Sequence, residues 1–180
     1  MAQMKKSYRL ALGGLIAALS VVLMFMVNLF PFADYTLPAV AGLLLVIVMI
    51  ELNARWALAV YVAVSLLTLL VTPLNQAVLL YIFFFGYYPV VKAAFEKCKS
   101  RIVEWVVKLV LFNAVVAVIY LLLRFVLNLP DVLQNDWGKW GAAIFLLLAN
   151  AAFVLYDLCV SRLASLYIAR IRPILLRRFK

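Results

Sequence analysis

Histidine is absent from this 180-residue chain, and cysteine, glycine and proline are scarce, at two, six and six copies. Without histidine, the usual base that activates a serine or cysteine nucleophile is missing, as is the commonest metal-binding side chain. Cys98 and Cys159 lie far apart, so a zinc site has no ligand set, and both thiols fall where the chain reads as cytoplasmic and reducing. Cys98, between Lys97 and Lys99, reads first as an ordinary interfacial residue and second as an acylation site. The seven acidic residues are scattered as Asp34, Glu51, Glu96, Glu104, Asp131, Asp136 and Asp157, with no pair on one mid-helix face. A glycine-rich phosphate loop is lacking as well. The chain therefore reads as no enzyme, with no metal and no cofactor.

What fills the chain instead is apolar: 69% of its residues are hydrophobic, and the mean hydropathy is +1.15. Runs this long and uncharged read as membrane spans, and helices satisfy their own backbone groups in hydrocarbon. Strands alternating polar and apolar residues are missing, which argues against a barrel. Breaks at charges, proline and asparagine place spans at about 10–30, 38–52, 56–72, 77–91, 103–127 and 140–161, followed by a basic tail over 162–180. The second and fourth are short, about 15 residues or 22 Å, so they sit in a thinned bilayer, extend through polar neighbours or re-enter against protein, and the total is five or six. The expected fold is all-α: one polytopic membrane domain over 1–180, a compact bundle of about six transmembrane helices.

All of the 17 basic residues except Arg124 and Lys139 fall on one side of these spans. That bias places both termini in the cytoplasm. The net charge of +10 is then topological, with anionic lipid as the partner of the basic tail and nucleic acid excluded for want of an aromatic–basic module. The basic start of the first span is signal-like, but the span is long and no cleavage site follows, so it reads as a retained helix.

Polar residues recur at helical spacing in two spans: Tyr61, Ser65, Thr68 and Thr72 in the third, and Asn113, Tyr120, Arg124 and Asn128 in the fifth. Such faces should turn from lipid toward other helices or a wet cavity. Asn113 and Asn150 both lie about 15 to 17 Å above the inner surface at 1.5 Å per residue, so the two amides can meet. A bridge between neighbouring helices is the simpler role for them, ahead of a ligand contact. Arg124, near the outer leaflet, either snorkels to headgroups or an outer acid, or binds an anionic group of a solute. In the second case Tyr120, Trp137 and Trp140 are its stacking partners.

The stretch "FFFGYYPVVKAAFEK" over 83–97 carries Gly86, which permits close helix approach, and Pro89, which can kink the span. It reads as an aromatic interface anchor, with a hinge as the alternative. Glu51 and Arg55 read as a solvated i,i+4 pair at a cytoplasmic turn. The first span opens as "LALGGLIAAL", where Ala11, Gly13, Gly14, Ala17 and Ala18 offer almost no side chain. Two small-xxx-small pairs, Gly13/Ala17 and Gly14/Ala18, let other backbones come close, one from the same chain and one from another subunit.

"RLALGGLIAALSVVLM" and the proline-containing "LFPFADYTLPAVAGLLL", with six short spans in about 180 residues and both termini inside, resemble the substrate-binding S components of energy-coupling factor vitamin transporters. The resemblance covers the whole length in pattern and 9–45 in residue detail. It implies that Ala11, Gly14 and Ala18 dock on a transmembrane coupling subunit driven by cytoplasmic ATPases. It also implies a small vitamin-like substrate near the outer surface, under a loop gated by Asp34 and Tyr35. The substrate motifs of the vitamin-specific members are not found here. "YYPVVK" over 87–92 is similar to a stretch in small membrane proteins of Gram-positive bacteria, which implies a bacterial cell membrane. The alternative is a non-transporting membrane scaffold, whose small-residue face recruits a partner and binds no ligand.

Overall fold

The computed structural model describes residues 6–96, 100–125 and 140–173. Among them the fold is all-helical: α1 (Lys6–Met26), α2 (Thr36–Glu51), α3 (Ala54–Val71), α4 (Gln76–Leu80), α5 (Tyr88–Phe95), α6 (Arg101–Phe125) and α7 (Gly141–Leu166). Five runs are long and apolar enough to cross a membrane: Lys6–Met26, Ala54–Val71, Gln76–Phe95, Arg101–Phe125 and Ala143–Arg170. Thr36–Glu51 is a shorter apolar helix. The fourth expected span, drawn short at 77–91, is therefore part of a 20-residue run. The sixth does not give way to a tail at 162, because the helix carries on into a π-helical turn over Tyr167–Ile171. The exterior is apolar too, with Leu70, Ile102 and Phe125 at least 71% exposed. Such a surface suits hydrocarbon and would aggregate in water.

Local signals fix the helix ends. Asn53 and Asn75 each accept a hydrogen bond through Oδ1, from the backbone N–H of Trp56 and of Val78, both at 3.0 Å. Each asparagine satisfies one of the amides that a helix start leaves unpaired. Pro73 follows the end of α3 and cannot extend it. The turn at Leu52–Asn53 separates Glu51 from Arg55, so the expected i,i+4 pairing does not form within one helix. Glu51 instead approaches Arg172 Nε at 3.8 Å.

The chain divides into two compact units. The first comprises the described residues through Ala94 and those from Val160 onward. In it α1 buries Gly13, Ile16, Ser20 and Met24, one face at helical spacing. That face joins a core made by Ala41 and Val48 of α2, Ala57, Val60 and Val64 of α3, and Val78 and Tyr81 of the fourth span.

The fourth span is not a plain helix. After Leu80 the backbone widens into a π-helical turn over Tyr81–Phe85, closed by Gly86 N–H donating to Tyr81 O at 2.8 Å. Widening releases a carbonyl from the usual pattern, and Tyr61 OH, from α3, donates to Ile82 O at 2.7 Å. Pro89 sits at the second residue of α5, where its missing N–H leaves no hydrogen bond unmade. The irregularity thus belongs to the segment over 81–87 and not to the proline.

The second unit runs from Phe95 to Cys159. Its described parts are mainly α6 and the first two-thirds of α7, which meet through long polar and aromatic side chains.

Candidate functional site

The small-residue stripe of α1 separates into two halves. A Cβ added at Gly13 would lie 3.4 Å from Val60 Cγ2, ordinary contact with the chain's own α3. Ala17 likewise packs against the core of the first unit. A Cβ added at Gly14 would meet nothing within 4 Å, and Ala11 and Ala18, one turn to either side, are exposed. One row therefore holds the chain together while the other leaves a shallow open groove.

At the start of α2, Asp34 ends the short 3-10 turn Pro31–Ala33 and Tyr35 precedes the first helical residue. Gln76 Nε2 donates to Tyr35 OH at 2.6 Å, tying the first loop to the start of α4. The remaining expected solute contacts belong to the second unit. Tyr120 and Arg124 lie one turn apart near the end of α6, with the exposed Arg124 guanidinium 5.8 Å from the Phe125 ring. Trp140 is 75% exposed just before α7. Trp137 and Asn128 lie outside the described residues.

Asn113 and Asn150 are brought together. Asn113 Nδ2 donates to Asn150 Oδ1 at 3.0 Å, and Asn150 Nδ2 donates to Asn113 Oδ1 at 3.2 Å. Each Nδ2 also donates to its own helix, at Leu109 O and Leu146 O, both 2.8 Å. Phe112 and Phe153 stack alongside, with centroids 4.7 Å apart and planes at 11°. A pair of this kind between apolar helices contributes about 0.6 kcal/mol.

Nearer the start of α6 lies a cluster that the residue pattern did not single out. Lys108 Nζ, 1% exposed, stands 2.6 Å from Glu104 Oε1 and 3.3 Å from Asp157 Oδ1. The Trp105 ring is 5.4 Å from the same ammonium. Two carboxylates and an aromatic ring thus neutralise a lysine that could not otherwise be buried. The signal lay in the antiparallel register. With Asn113 facing Asn150, stepping back five residues to Lys108 brings α7 to a position near 155, within two residues of Asp157. Glu104 and Lys108 also stand at i,i+4. Among the described residues no three histidine, cysteine or acidic side chains group to hold a metal. Compared with family models, with curated proteins and with solved structures, the chain finds no match.

Proposed function

We propose that this chain is a multi-pass bacterial membrane protein, both termini cytoplasmic, that binds a small vitamin-like solute as a subunit of an energy-coupling factor type importer. A transmembrane coupling subunit and cytoplasmic ATPases supply the energy, and anionic lipid holds the basic tail. The reading rests chiefly on the open half of the α1 stripe. Helix association in hydrocarbon depends on close backbone approach, since lipid tails are as apolar as leucine. Gly14, with open space where a side chain would stand, permits that approach. Asp34 and Tyr35 in the first unit and, separately, Tyr120, Arg124, Trp137 and Trp140 are the proposed solute contacts.

Co-expression with the coupling subunit and ATPases of the same organism tests the docking face. Gly14→Leu should reduce their co-purification about tenfold, equivalent to about 1.4 kcal/mol. Melting of the isolated chain should not fall, because Gly14 is exposed and a Cβ there meets nothing within 4 Å. Undiminished co-purification would remove this face from the assembly.

Solute binding is tested by thermal shift of the purified chain against a panel of vitamins. One compound should raise Tm, and Arg124→Ala should weaken its binding at least tenfold while leaving the ligand-free Tm in place, since Arg124 is exposed. An intact docking result with no shift for any compound points to the scaffold instead.

A further inference from the structure

Among the described residues of the first unit four hydroxyls are buried without a hydrogen-bond partner, Ser20 Oγ on α1, Ser65 Oγ and Thr68 Oγ1 on α3, and Tyr81 OH in the π-helical turn, and of these Ser20, Thr68 and Tyr81 belong to residues wholly shielded from solvent. Each carries a donor and an acceptor, and burying such a group unpaired is unfavourable. Helical serines can relieve this by donating to the carbonyl one turn back. Ser165 does so in this chain, to Ser161 O at 2.9 Å, whereas Ser20 and Thr68 do not.

The three belong to one region of the core. Ser20 lies midway between Ile16 and Met24 on the buried face of α1, and Tyr81 shares a single cluster with both. Gly13 faces Val60, and advancing seven residues along each helix brings Ser20 level with residue 67, next to Thr68. Val64, one turn before Thr68, belongs to the same cluster as Tyr81. Ser20, Thr68 and Tyr81 carry no formal charge themselves, so the three hydroxyls offer an ion no counter-charge.

We infer that Ser20, Thr68 and Tyr81 form an internal binding site for one small neutral molecule that both donates and accepts hydrogen bonds. Internal waters typically make about three hydrogen bonds, the number of hydroxyls offered here from three helical segments. Solvent water and a small alcohol share that chemistry. The site is separate from the solute contacts proposed above and holds whether or not the chain transports anything.

Removing a hydroxyl from a truly empty site relieves an unpaired group, so stability holds or rises. Removing one from an occupied site loses a bond to the occupant. Thr68→Val and Tyr81→Phe keep side-chain volume and ring, and each should lower Tm of the purified full chain in detergent by about 2–4 °C. Because they share one occupant, the double variant should fall by less than the sum of the two. Ethylene glycol then distinguishes the sources. Extra stabilisation of the natural chain over Thr68→Val assigns an organic occupant, and equal responses assign water. A Tm that holds or rises in both single variants, or strictly additive losses, overturns the inference.

Discussion

Lys108→Met is expected to destabilise the chain by about 3 kcal/mol, the loss typical when one partner of a buried ion pair is removed. Methionine fills much of the space of the lysine stem, so the change is chiefly electrostatic. The ammonium is the group that Glu104 and Asp157 both approach, at 2.6 and 3.3 Å. Asp157 has little recourse to solvent, its side chain being 5% exposed, whereas Glu104 at 16% retains some. Glu104→Gln should therefore cost less, about 1 kcal/mol. The double variant Lys108→Met/Asp157→Leu should recover part of the loss, because apolar packing can replace a buried pair once both charges are gone. Denaturant unfolding in micelles, followed by the far-ultraviolet helical signal, measures all three. A Lys108→Met chain as stable as the natural one would show that the cluster is wetted by solvent and structurally idle.

The amide pair and the ion cluster differ in how plainly the residues announced them, although one register relates both. Asn113 and Asn150 stand out because an amide in an apolar run is rare, and equal depth from the inner surface is enough to match them. Lys108 and Asp157 sit closer to helix ends, where charge is ordinary, so composition assigns them to solvent. Only the spacing between the helices, fixed by long side chains such as the stacked Phe112 and Phe153, reveals that Lys108 is buried. The α1 stripe poses a similar problem. Residue sizes show two rows of small side chains, but which row faces the chain's own α3 depends on how α1 is rotated, and Val60 decides it at Gly13. Tyr35 and Gln76, 41 residues apart, meet because two loops end at the same level, which helical periodicity does not encode.

The π-helical turn was the least legible element, since "YIFFFG" reads as uninterrupted apolar helix, and its reason lies 20 residues earlier at Tyr61. Gly86→Ala is expected to destabilise by about 1–3 kcal/mol, the range for overpacking a filled core. An added Cβ would collide with the Cδ2 and Cε2 ring carbons of Tyr61 and stand 2.9 Å from Tyr81 O. The ring cannot simply swing aside, because its hydroxyl holds Ile82 O at 2.7 Å and its departure would strip a released carbonyl of its donor. Tyr61→Phe, which removes that hydroxyl alone, should cost about 1 kcal/mol and leave the Gly86 clash in place. In a Tyr61→Ala background most of the collision disappears, so the added penalty of Gly86→Ala should fall to less than half its value in the natural chain. This coupling is the decisive quantity, because it separates a steric clash from the general preference for glycine at a bend. Equal penalties in both backgrounds would mean that Gly86 is required by the backbone alone, and that Tyr61 merely lies beside the π-helical turn without holding it.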